Sequence, residues 1–235
     1  MKIDVIRTGS KGNAIMIDNT LLIDCGVPFK LLKDKPFSVV LLTHEHSDHF
    51  NKTTIRKLAE ARPLLRWAVP VHLAGKLNNC GVPIKNIDVT NIGPTYNYRI
   101  NGVVYALQIF ALAHDVPNVG WRIQKNGPDR KNKTLLYITD TGNVDELTEK
   151  ELFNGLDYYL VEANYNADEI NHIIADKQAN GVFCYETRVK QTHLSRQQAE
   201  AFIARVAGEH SKYMFIHQHE NRPAAEDPDE SGGPL

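Results

Sequence analysis

The chain reads as an α/β protein, on three observations. The apolar run 38–42 (Ser-Val-Val-Leu-Leu) has the length and composition of a strand buried on both faces, as parallel sheets contain. Stretches with a 3.6-residue apolar period alternate with such runs; in 52–61, Ile55, Leu58 and Ala59 fall on one helical face. Polar clusters sit where the apolar runs stop, the place where an open α/β sheet holds its ligands.

Taken in order, strands are expected at 2–7, 14–18 and 21–24. A short helix follows at 28–34, with Pro28 near its first turn. After the strand 38–42 come a helix at 52–61, a short strand at 67–69 and a helix at 71–79 ended by Gly81. Strands are expected at 86–89, 96–100 and 102–112, with Asn101-Gly102 a strong hairpin signal. Two more strands lie at 119–125 and 134–138, then a helix at 144–152, a strand at 156–161 and a helix at 168–176. No clear period covers 180–191. Ser195 is a good N-cap for a helix over 196–207, and a last strand spans 212–216. The sequence contains no internal repeat, and the expectation is one domain, 1–221, followed by a flexible tail, 222–235.

At 235 residues the chain can bury a sizeable core, and 42% hydrophobic with 23% charged residues is ordinary for a globular protein. The net charge of −1 gives no global attraction to nucleic acid or anionic lipid, so a long polyanion would need a local basic patch. Arg56, Lys57 and Arg62 read as a solvated helix face, and the basic segment 125–133 as a solvated loop that could touch phosphates. Cys25, Cys80 and Cys184 are odd in number and form no Cys-x-x-Cys pair, which argues against a zinc ribbon or a disulfide framework. With reduced thiols, no signal peptide and no membrane span, the expected location is the cytoplasm.

The chemistry concentrates in Thr43-His44-Glu45-His46-Ser47-Asp48-His49, where five of seven residues can ligate a metal. In an irregular turn His44 and His46 can point at one ion, while Asp48 and His49, on the next bend, can face a second. Further candidates appear where later strands end: His114, Asp140 and His217. The turn 8–13 (Thr-Gly-Ser-Lys-Gly-Asn) is open between an anion-binding nest and a plain hairpin turn.

Thr-His-Glu-His-Ser-Asp-His resembles the His-x-His-x-Asp-His signature of the metallo-β-lactamase superfamily. That resemblance, covering about residues 1–220, implies a four-layer αββα sandwich and a dinuclear metal site. Gly9–Ala14, Val161–Tyr165, Thr192–Ser195 and Phe215–His217 look closest to the YycJ/WalJ-like exonucleases and phage-encoded relatives. The resemblance implies His44, His46 and His114 on a first ion, Asp48, His49 and His217 on a second, and Asp140 bridging; His219 is a second choice for the last position. Zn²⁺ is the expected metal and Mn²⁺ the next, given His/Asp ligation without Cys. Asp24 would accept hydrogen bonds that support the metal loop, and Asp115 could orient the His114 ring or a neighbouring ligand. The likeness to ribonuclease Z implies that Glu162 holds His193, which contacts the phosphate or protonates the leaving group. With Asp48 and Asp140 these form the expected catalytic set. The expected activity is a metal-dependent phosphodiesterase, a nuclease on nucleic-acid ends. A cyclic-nucleotide phosphodiesterase, as in phage counter-defence, and a thioester or lactone hydrolase are the alternatives. A homodimer is expected by analogy alone.

Overall fold

The computed structural model describes residues 1–127 and 132–218. His219, the tail 222–235 and the middle of the basic segment 125–133 lie outside the described residues. In chain order the elements are β1 (Ile3–Arg7), β2 (Ala14–Ile17), β3 (Leu21–Ile23), β4 (Val39–Leu41), α1 (Lys52–Ala61), β5 (Arg66–Pro70), α2 (Val71–Asn79) and β6 (Ile87–Thr90). Then come β7 (Tyr96–Ile100), β8 (Val103–Leu112), β9 (Asn118–Asn126), β10 (Lys133–Ile138), α3 (Asp145–Thr148), β11 (Tyr158–Glu162), α4 (Ala167–Ala179), α5 (Glu186–Thr192), α6 (Arg196–Val206) and β12 (Lys212–Ile216). The α/β class expected from the alternation is what forms: two six-stranded mixed sheets with helices, ordered β1-β2-β3-β4-β5-β6 and β12-β11-β10-β9-β8-β7.

Two compact units are distinguished by their contacts. One comprises Met1–Ala111 and Trp121–Lys133, the other Leu112–Gly120 and the described residues from Thr134 on. In the first, the run read as a buried strand is β4, parallel to both β3 and β5 and wholly buried. A parallel central strand has no solvent face, which is why its sequence does not alternate. Ile55 and Leu58 of α1 and Leu73 and Leu77 of α2 join one apolar cluster with Leu22, Val40 and Trp67. Trp121 is fully buried, and its Nε1–H donates to the carbonyl of Leu42 at 3.2 Å, one residue before the metal loop. The Asn101-Gly102 hairpin forms with φ of 50° and 80°, as a type I′ turn requires.

In the second unit, β10 and β11, and β11 and β12, pair in parallel. Tyr159 is buried there; its hydroxyl accepts from Leu156 N–H and shares its one proton between the carbonyls of Phe153 and Val206, so this buried phenol is satisfied. Ser195 caps α6 as its sequence suggests, accepting from Gln198 N–H in a full capping box. Ser195→Ala is expected to cost about 1 kcal/mol of stability, read as a lowered denaturant midpoint at unchanged slope.

Three expected elements differ. The helix over 28–34 is only a 3-10 turn, Phe29–Leu31, because Pro28 offers no side-chain cap. The helix over 144–152 breaks into α3 and a 3-10 turn, Glu151–Phe153, with Lys150 extended between them (φ −92°, ψ 109°). The unassigned stretch 180–191 holds all but the last residue of α5, which buries only Val189 and Thr192 and so shows no period.

Candidate metal centre

The first unit supplies one set of ligand candidates. β4 delivers the chain into 43–49, and Asp24, just after β3, grips that loop from below. Its carboxylate accepts from Thr43 N–H at 3.0 Å, from Thr43 Oγ1–H, and from His49 Nδ1–H at 2.7 Å. Asp24 is fully buried; burial holds its carboxyl above the usual carboxylate range, against the partial pull of His49 and Thr43. Asp24 therefore fixes the His49 tautomer with Nε2 unprotonated, the form a cation needs. His44 and His46 meet edge to face, ring centroids 4.8 Å apart, and His44 lies 4.3 Å from His49. Asp48 Oδ2 is 3.5 Å from His49 Nε2. Four candidate ligands thus converge within one loop.

Asn13 is a site residue the sequence reading missed. The turn 8–13 joins antiparallel β1 and β2 and also tethers the loop: Asn13 N–H donates to the Asp48 carbonyl at 2.6 Å, and its amide nitrogen lies 2.8 Å from His49 Nε2. Gly26 makes room for this contact. A Cβ there would fall 1.7 Å from the Asp48 carbonyl oxygen. Gly26→Ala should displace the 46–49 loop, costing roughly 3 kcal/mol and lowering bound metal per chain, read by denaturation and by elemental analysis.

The second unit supplies the other set, at strand ends. His114 follows β8; its Nδ1–H donates to the Thr192 carbonyl at 3.0 Å, and its Nε2 lies 3.9 Å from Asp140 Oδ2. Burial pushes this imidazole down, toward the neutral form that ligates cations. Asp140 follows β10, with Thr139 Oγ1–H donating to Oδ1 at 2.5 Å and Asn118 Nδ2–H donating to its carbonyl at 2.6 Å. His217 follows β12, its Nε2 3.5 Å from Asp140 Oδ1, its Nδ1 3.0 Å from Asn164 Nδ2. Asp24, Asp140 and His217 all have left-handed backbone (φ 58°, 52° and 53°), which bends the chain sharply where each strand stops. Gly142 lets the Asp140 turn approach α5, since a Cβ there would fall 2.0 Å from the Gln191 carbonyl oxygen.

Glu162, at the end of β11 and fully buried, accepts from Thr141 N–H at 2.6 Å and Leu194 N–H at 3.2 Å on one oxygen. Its other oxygen accepts from His193 Nδ1–H at 2.9 Å. The His193 ring stacks on His217 at 5.3 Å and sits 5.5 Å from His114. Asp140, Glu162, His193 and His217 bring one ligand atom each within 4.8 Å of one another. Asp115 reaches two ways: Oδ1 is 3.2 Å from His114 Nε2 and Oδ2 is drawn to Arg188, while the Thr192 carbonyl holds the other ring nitrogen. Imidazoles and carboxylates, buried or half-buried and several of them held through their far atoms, suit a divalent cation in both units.

Residues 19–218 match the family described as the β-lactamase superfamily domain. The chain belongs to the β-lactamase superfamily. Its sequence is similar to the exodeoxyribonuclease WalJ of Streptococcus pneumoniae, 23% identical over 92% of this chain and 80% of that one. Exodeoxyribonuclease YycJ of Bacillus anthracis is 22% identical over 90% of this chain and 80% of its own. Among solved structures, the short form of human tRNase Z aligns with a TM-score of 0.63 at 15% identity, covering 93% of this chain and 92% of that one. The metallo-β-lactamase fold protein YhfI of Bacillus subtilis aligns at 0.61 with 16% identity, covering 92% and 85%. These likenesses show that this superfamily member has the metallo-β-lactamase fold.

Proposed function

We propose that the chain is a phosphodiesterase dependent on two divalent cations, acting as a nuclease on DNA or RNA ends. The observation that carries this reading is the Glu162–His193 pair. A metal-dependent thioester or lactone hydrolase has no need of a second buried carboxylate clamped by two backbone N–H groups and spent on one imidazole. Names of similar proteins, the exodeoxyribonucleases and tRNase Z, point the same way.

In this reading His44, His46 and His114 would hold one ion, Asp48, His49 and His217 the other, and Asp140 would serve both, with Zn²⁺ the first choice and Mn²⁺ the second. When bound, such a pair supplies an activated water near neutral pH and offsets charge building on a phosphoryl group. Glu162 keeps a His193 proton on Nδ1 and holds the ring in place. When the His193 ring is charged, its Nε2–H would contact the phosphate or hand a proton to the leaving oxygen as the P–O bond breaks.

The test is a substrate panel on protein stripped with EDTA and reloaded with Zn²⁺ or Mn²⁺. Linear DNA or RNA should be shortened from its ends, and EDTA should stop it. Turnover of cyclic mono- or dinucleotides alone would favour the alternative that the near-zero net charge supports. No turnover of any phosphodiester with either metal would sink the reading.

A further inference from the structure

We propose that a cationic cleft between α1 and α2, beside the metal loop, binds the phosphate backbone of a nucleic-acid strand. This deepens the nuclease reading and rests on it for the identity of the strand. The cleft has a volume of about 590 Å³, and Lys52, Arg56 and Lys76 line it with Glu45 and His46. That volume is in the range of ligand sites rather than surface dimples.

Its charge is the first argument. Three cations face one carboxylate, and Lys76 Nζ is paired with that carboxylate, Glu45. Lys52 and Arg56 have no carboxylate partner among the described residues. They stand four residues apart on α1, on one face, where like charges repel and weaken a helix. A chain of net charge −1 thus keeps an uncompensated pair in one cleft. The Cys80 thiol at the cleft wall senses both: burial pushes it up, while Lys52 and Arg56 pull it down.

Location is the second argument. His46, a proposed ligand of the first ion, lines the same cleft. A strand whose cleaved diester sits at that ion would run its neighbouring phosphates along Lys52 and Arg56. The basic patch that a polyanion requires would then be local, beside the chemistry, and invisible to net charge.

Binding of a labelled oligonucleotide, followed by fluorescence anisotropy in EDTA so that nothing is cut, tests the cleft directly. Lys52→Glu/Arg56→Glu should weaken binding more than about tenfold, and the slope of log affinity against log salt should fall by roughly two, about one per phosphate contact. The matched pair Lys30→Glu/Lys33→Glu should change the slope little. Circular dichroism confirms that each variant folds. The proposal is overturned if wild type fails to bind, if the cleft variant binds like wild type, if the matched pair weakens binding equally, or if polyglutamate displaces the strand at equal charge. Binding through Lys52 and Arg56 without turnover of any phosphodiester would support the cleft and overturn the nuclease reading. Turnover with binding indifferent to both residues would do the reverse.

Discussion

Asp140→Asn should fold like the wild type and lose at least about a thousandfold in phosphodiester turnover. The carboxylate faces His114 Nε2 at 3.9 Å on one oxygen and His217 Nε2 at 3.5 Å on the other. A group so placed is where two cations would share a ligand. Losing it removes several kcal/mol of charge stabilisation, and about 4 kcal/mol is a thousandfold in rate. Asparagine is the informative replacement because it tolerates the left-handed backbone at this position, φ 52°. Alanine would confound the result with roughly 1–2 kcal/mol of backbone strain. Metal per chain should fall from two toward one on elemental analysis. An Asn variant within tenfold of wild-type turnover, with two ions retained, would rule out a bridging role for Asp140.

Much of this site is legible before any coordinates because ligand side chains sit next to apolar runs. Val39–Leu41 announces a buried strand, and a buried strand has to end somewhere; His44 to His49 mark that end. The strands before His114, Asp140 and His217 announce themselves in the same way. What the sequence does not display is the support behind those side chains. Asn13 acts across 35 residues on the Asp48 carbonyl, and nothing local singles it out from other turn asparagines. Asp115 looks like the natural partner of its neighbour His114, yet Arg188, 73 residues on, competes for it. Nothing local marks Gly26 or Gly142, but each is required by a carbonyl that approaches from a distant segment. Left-handed backbone at Asp24, Asp140 and His217 is hidden for a related reason: strand-end geometry is imposed by the sheet, not by the residue. Short helices suffer too, since α5 buries two side chains and two points define no period. Local pattern fixes where candidate ligands lie in the chain, and long-range hydrogen bonds fix which way they point.

His193→Ala should slow cleavage of DNA by about a hundredfold to ten-thousandfold, the usual span for a lost general acid. It should slow bis(p-nitrophenyl) phosphate far less. The difference follows from the leaving group. A deoxyribose oxygen departs as a strong base and needs a proton, whereas p-nitrophenolate departs without one. Glu162 holds His193 by its Nδ1–H at 2.9 Å, and Thr141 and Leu194 N–H groups keep the other Glu162 oxygen occupied. The carboxylate therefore cannot rotate away, and its charge is spent on the imidazole. Glu162→Gln retains the size and loses the carboxylate charge that accepts the Nδ1–H. Its penalty on DNA should be smaller than that of His193→Ala, because the imidazole stays in place and loses only the carboxylate that holds it. Asp140→Asn, by contrast, should slow both substrates alike. Equal losses on DNA and on bis(p-nitrophenyl) phosphate for His193→Ala would remove His193 from proton transfer and leave it a phosphate contact.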